Sequence, residues 1–146
     1  MTMLRNIPKH LSPDVLWALA AMGHGDCLVV VDANYPAYSR HQRVLPIVGV
    51  PLVSIITDIL KLMPVDDFLE KPVVKMVPDG DLGYGTPVHD DVEKIVNEIE
   101  QREVGFQPVE RTRFYDVAAG AFAVVATTDD RPFGCFIFTK GVIRSV

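Results

Sequence analysis

Four side chains able to move protons, His24, Asp32, Asp66 and Tyr115, stand out along the sequence, with Arg111 and Arg113 just ahead of the tyrosine. An imidazole both gives and takes a proton near neutral pH, and carboxylates and a phenol widen that range, so the set suits acid–base work without a cofactor. The densest stretch is Met22-Gly23-His24-Gly25-Asp26, which runs directly into Cys27-Leu28-Val29-Val30-Val31-Asp32. Glycines on both sides of His24 free the backbone for a tight corner, from which the imidazole can face a cavity. The same residues also have a purely structural reading. Gly23 suits a helix C-terminus, a histidine there complements the helix dipole, and Asp32 can bond backbone amides where a strand turns into a loop. Other chemistries lack their parts. The histidines at 10, 24, 41 and 89 form no metal-ligand spacing with the two cysteines, so no metal site is expected. The glycines of the 78–85 loop match no phosphate cradle, and no Gly-x-Ser-x-Gly elbow is present.

These groups need rigid carriers, and the sequence supplies them. Ser12-Pro13-Asp14 opens a helix, with Ser12 as cap and Val15, Leu16, Leu19 and Met22 as its inner side, and the helix delivers His24 after stopping at Gly23. Leu28–Val31 reads as a strand buried on both faces, so the aromatic loop 34–41 lies at a strand's C-terminal end, where α/β sheets hold ligands. Val44–Val48, interrupted by Pro46, fits an edge strand or a bulge. Pro51 starts a second helix that reaches Met63 before Pro64, Val73–Val77 is a strand, and Pro87 to about Gln101 is a third helix with an acidic, solvated outer face. The remaining expectations are a strand over Val109–Thr112, a helical turn over Phe114–Ala119, a strand over Phe122–Thr127, and a last strand, Phe136–Phe138, that closes the sheet. One domain over residues 1–146 accounts for these elements: an α/β fold of three α/β/α layers with a central mixed sheet.

Composition narrows the function classes. A formal charge of −5 with no basic stripe argues against nucleic acid. Cys27 and Cys135 lie in apolar runs rather than in a disulfide framework, residues 1–10 carry no signal-like apolar stretch, and no run approaches membrane-spanning length, so a cytoplasmic chain without a membrane role is expected. The slightly positive mean hydropathy hints at apolar surface covered by sister subunits.

Taken together, Leu11-Ser12-Pro13, Met22-Gly23-His24-Gly25-Asp26, Val31-Asp32-Ala33-Asn34-Tyr35-Pro36, Arg113-Phe114-Tyr115, Ala121 through Thr127 and Lys140-Gly141-Val142 resemble the ribose pyranase / fucose mutarotase family over nearly the whole chain. The Met-Gly-His-Gly-Asp form, and the Phe-Tyr pair followed by Ala-Phe-Ala-Val-Val, resemble the fucose mutarotase branch more closely. The resemblance implies an L-fucose-type mutarotase, an isomerase of monosaccharides, with a ribose-type pyranose–furanose isomerase or a non-catalytic sugar-binding ring as alternatives. It implies His24 as the proton-donating histidine, Asp66 and Tyr115 as further proton-transfer groups, Asp32 as a sugar-binding carboxylate and Met76 as a sugar contact. It also implies a homo-oligomeric ring, commonly a decamer, with sites near subunit boundaries. Arg113 is a candidate contact for a sugar hydroxyl and reads equally well as a surface charge.

One departure bears on the site. Where the family usually carries Tyr-Gly-Asn, this chain has Phe133-Gly134-Cys135, so two polar sugar contacts are replaced while the Gly134 backbone stays available. A straight strand over residues 27–31 would also hold His24 and Asp32 roughly 17 Å apart. They can share one sugar only if the chain curls or if neighbouring subunits combine, and the second arrangement also accounts for the apolar surplus.

Overall fold

The computed structural model describes residues 4–145, so the leaderless start expected for residues 1–10 lies partly outside the described residues. The first helix begins as its sequence demands. Ser12 Oγ accepts the Val15 amide at 3.3 Å, Pro13 takes the first helical position, and α1 spans Pro13–Ala21. It ends without help from Gly23: Met22 is an extended cap whose N–H returns to the Ala18 carbonyl. The positive φ, 89°, falls on Gly25 instead, so the corner that presents His24 turns on the glycine after it.

β1 (Cys27–Val31) follows, and the expected loop beyond it contains a one-turn helix, α2 (Ala37–Arg40). Then come β2 (Val44–Ile47), α3 (Leu52–Leu60), β3 (Val73–Val77) and α4 (Pro87–Glu100). The α3 pattern was expected to reach Met63; the helix stops at Leu60, and the Met63 amide still bonds the Ile59 carbonyl at 2.9 Å. β4 (Phe106–Glu110) starts three residues earlier than expected, because Phe106 and Val109 both pair along the full length of β3. α5 (Arg111–Ala118) therefore takes over residues 111–112, and β5 (Ala123–Thr127) and β6 (Phe136–Thr139) complete the chain.

The sheet is mixed and six-stranded, ordered β2-β5-β1-β6-β3-β4. β6 was expected to close the sheet but lies inside it, antiparallel to both β1 and β3, while the other pairings are parallel. The strand prolines Pro46 and Pro108 fall on β2 and β4, the two edges, where a missing N–H costs no ladder bond on the open side. Alternate residues of each strand feed two cores. Leu28 and Val30 pack with α1, α3 and α4 on one face, and Val29 and Val31 pack with α2 and α5 on the other. The α/β/α sandwich is thus read directly from the pleat. Its consequence for function is positional: β1, β3 and β4 all end at one margin of the sheet, and His24 enters from the opposite one.

Candidate active site

The margin at which the parallel strands end holds a cavity of about 240 Å³, walled by Asp32, Tyr35, Met76, Arg111, Tyr115, Phe133 and Cys135, with Asn34 and Pro132 at its lining. Asp32 leaves the end of β1 almost wholly buried. Its Oδ1 accepts the Asn34 amide at 2.9 Å and its Oδ2 the Gly134 amide at 3.0 Å. Burial raises its pKa against those hydrogen bonds, so the carboxyl titrates above the ordinary aspartate value. Burial and then the Asp32 charge push the Cys135 thiol far up, so it faces the cavity as a neutral S–H.

Tyr115 is held from two sides. Arg111 donates from Nη1 to its hydroxyl at 3.3 Å, and the Arg40 guanidinium lies 4.1 Å from its ring centroid. Both cations stand where negative charge would develop if the phenol released its proton. Across the cavity wall, Tyr35 Oη lies 2.8 Å from His41 Nε2. Burial, then Arg40, lowers the His41 pKa, so the neutral imidazole accepts and the phenol donates. Burial and the neighbouring Cys135 raise the Tyr35 pKa, which keeps it a phenol.

The opposite margin carries a second constellation. His24 Nε2 donates to Asp66 Oδ1 at 2.8 Å, while Asp66 Oδ2 accepts the amides of Phe68 at 3.2 Å and Leu69 at 2.9 Å. Burial alone would raise the Asp66 pKa; the His24 and Leu69 hydrogen bonds outweigh it and hold the carboxyl below its ordinary value. Asp66 is itself anchored, its amide to the Thr139 carbonyl at 2.9 Å and its carbonyl by Arg102 at 3.0 Å. His24 is the outer member, with its side chain 46 % exposed and the Phe68 ring 5.0 Å away. The expectation that it faces a cavity is corrected here: the imidazole stands at the surface with its ring fixed through Nε2, which leaves Nδ1 available.

Asp32, Met76, Tyr115, Phe133 and Cys135 are therefore brought together, with Gly134 joined through its amide, and His24 and Asp66 are brought together elsewhere. Within one chain the two groups stay on opposite margins of the sheet. Arg113 is not among the cavity residues; it is exposed on α5, and Arg111 takes its place. The signal was present, since Arg111 and Tyr115 are four apart and share a helix face, whereas Arg113 points away. Placing a strand over 109–112 hid it. In the sequence, Tyr35 and its partner His41 stand only as members of an aromatic loop. Among the described residues, no group of three or more His, Cys, Asp or Glu side chains is placed to hold a metal ion, and no helix is long and apolar enough to cross a membrane.

Known proteins match this chain along its whole length. It is 39 % identical to the fucose mutarotase of Homo sapiens, covering 98 % of this chain and 96 % of the human one. The structure of a fucose mutarotase from Streptococcus pneumoniae, solved in complex with L-fucose, superposes with a TM-score of 0.88 at 31 % identity and covers 97 % of this chain and 100 % of that one. Bacillus subtilis RbsD, solved with D-ribose, shares the fold at a TM-score of 0.75 and 19 % identity, over 97 % of this chain and 100 % of that one. A sequence profile covers residues 5–143, and with it the chain belongs to the RbsD / FucU transport protein family.

Proposed function

We propose that this protein is an L-fucose mutarotase, a cofactor-independent isomerase that interconverts the α and β anomers of the sugar. The observation that carries the reading is the cavity at the strand ends: about 240 Å³, room for one monosaccharide, with a buried carboxylate, a phenol backed by two guanidinium groups, and apolar walls from Met76 and Phe133. The full-length relatives named fucose mutarotase and the relative solved with L-fucose point to the same substrate.

Anomer exchange needs a base for the proton of the anomeric hydroxyl and an acid for the ring oxygen; the ring opens to the aldehyde and recloses on the other face. Tyr115 is suited to one of these transfers, because Arg111 and Arg40 stabilise the phenolate while its proton is away. His24 is suited to the other. Asp66 fixes its ring through Nε2 and steadies the imidazolium, which directs the exchangeable site to Nδ1. Asp32 accepts from sugar hydroxyls, and Met76, Phe133 and Cys135 shape the pocket. Positioned proton transfer of this kind supplies about 10²–10⁴-fold, enough for a reaction that already runs in water.

Because the two groups lie at opposite margins of one sheet, the complete site is built from two subunits, the His24 end of one against the cavity of the next. Phe68, Leu69, Val142 and Ile143, exposed beside the His24–Asp66 pair, form the apolar seat for such a neighbour. A homo-oligomeric ring, with a decamer as the family precedent, follows from this reading. So does a cytosolic setting, which suits two unpaired thiols, and a single domain over residues 1–146.

The test is magnetisation transfer between the anomeric protons of L-fucose. Accelerated α–β exchange that His24→Ala and Tyr115→Phe each reduce by about 10²-fold or more supports the assignment. Exchange with ribose between pyranose and furanose forms, or binding without exchange, would replace it.

A further inference from the structure

His89 lies on the inner face of α4, beside Val88, Val92 and Val96, and only 1 % of it is exposed. A buried imidazole among apolar neighbours needs an account. Its Nε2 is 2.9 Å from the Phe133 carbonyl oxygen. A carbonyl only accepts, so Nε2 carries the hydrogen. Nδ1 is shielded from solvent and has no hydrogen-bond partner among the described residues. Protonating it would bury a second donor that has no well-formed hydrogen bond, and the small favourable contribution of the Met76 carbonyl is outweighed by burial, so His89 is a neutral, one-way donor. Burial first, and the Lys75 charge after it, hold its pKa below the ordinary histidine value; Lys75 is paired at 3.5 Å with Glu93, the other charged group facing the ring.

The receiver of this hydrogen bond is half of a single peptide unit. The Phe133 carbonyl bonds His89, and the Gly134 N–H of the same peptide bonds Asp32 Oδ2 at 3.0 Å. A trans peptide is planar, with its C=O and N–H pointing opposite ways, so fixing one end aims the other. The segment does not aim itself. Phe133 sits at φ 60°, in the left-handed region that a bulky residue resists, and the glycine after it offers little resistance to rotation of the peptide. A flipped peptide would turn a carbonyl oxygen toward the Asp32 carboxylate.

We propose that His89 is a positioning residue for the sugar site: its Nε2–H locks the Phe133–Gly134 peptide in the orientation that delivers the Gly134 amide to Asp32. The relay runs from α4 through one peptide to the carboxylate at the end of β1. It rests on the reading of Asp32 as a sugar-binding group only for its effect on turnover; the effect on Asp32 itself is independent of the substrate. Around Asp32 stand Tyr35, Arg111, Tyr115 and Cys135, none of which His89 touches, so its influence passes through the peptide.

His89→Leu keeps apolar volume and removes the donor, whereas His89→Gln keeps an N–H that can reach the carbonyl. In sugar-free protein, carbon NMR of the Asp32 carboxyl should show its titration moving about one unit higher in His89→Leu, because the charged form loses an amide donor, and returning in His89→Gln. With L-fucose, KM should rise about tenfold in His89→Leu with kcat changed much less, the acid limb of kcat/KM moving with Asp32. Should the leucine variant fail to fold, nitrogen NMR of the wild-type protein decides: His89 must be the Nε2–H tautomer and must not titrate where free histidine does. An Asp32 titration indifferent to His89→Leu, or an Nδ1–H tautomer, overturns the proposal. Absent fucose exchange in the wild type, with Asp32 still responding, overturns the substrate and not the relay.

Discussion

Asp66 is nearly inaccessible yet ionised, because the His24 ring and the amides of Phe68 and Leu69 supply the contacts that water would otherwise make. Its folded pKa is depressed, so its contribution to stability is complete above the unfolded aspartate value and disappears as pH falls through the folded one. Asp66→Asn should cost about 1–2 kcal/mol in urea unfolding at pH 7, since charge-assisted bonds become neutral ones. The gap between variant and wild type should close in acid, where the carboxyl is protonated; a pH-independent gap would assign the loss to packing. Histidine titration acts at a different pH. His41 and His89 both have folded pKa values lowered, in each case chiefly by burial, so the unfolded chain binds more protons than the folded one below the ordinary histidine value of about 6.5. Stability is full above that pH and declines below it. Replacing both histidines by glutamine should flatten the decline in denaturation curves collected across mildly acidic pH, and an unchanged slope would locate it elsewhere.

Elements set how closely these residues can approach, and beside the His24–Asp66 pair the close approach is at Gly141. A Cβ there would lie 2.9 Å from the Asp66 Cα and 2.9 Å from the Val65 carbonyl oxygen, in the stretch where the Gly141 amide bonds the Pro64 carbonyl at 2.8 Å. Gly141→Ala has to push backbone against backbone, so it should destabilise by about 1–3 kcal/mol and displace Asp66 from His24, lowering anomer exchange more than Ala at exposed Gly120 does. Nothing in the sequence announces that contact. Local chemistry does announce α1, because Ser12 and Pro13 act on their own helix, and β1, because a β-branched run needs no partner to be recognised. β6 was misplaced because Phe136–Phe138 says that a strand is buried but not which neighbours bury it. Arg111 was passed over because its role depends on a boundary at Glu110 that is decided by pairing with β3. The sequence singles out His24, Asp32 and Tyr115 because each residue type announces its own chemistry, and the structure places Asp32 and Tyr115 at the cavity and His24 against Asp66; the sequence is silent where one side chain acts through another, as with His41 behind Tyr35.

At the scale of the whole molecule, the proposed function requires two groups at opposite margins of one sheet to serve one sugar. The strand between them, β1, has five residues, which span roughly 17 Å at the usual rise, so neither half bends to meet the other. Head-to-tail contact in a closed ring would join each His24–Asp66 pair to a neighbour's cavity and cover the exposed apolar residues beside it. This makes a prediction that a self-contained site does not share. His24→Ala spoils only the histidine half and Tyr115→Phe only the cavity half, so a ring of either variant alone has no intact site. Co-expressed in equal amounts, the two variants mix within rings, and wherever a Tyr115→Phe subunit presents its histidine half to the cavity of a His24→Ala subunit the site is whole. Random mixing restores about a quarter of wild-type exchange under that geometry. If each chain held a complete site, every chain would still carry one lesion and no activity would return, so the exchange rate of the mixed ring decides whether catalysis belongs to the subunit or to the contact between subunits.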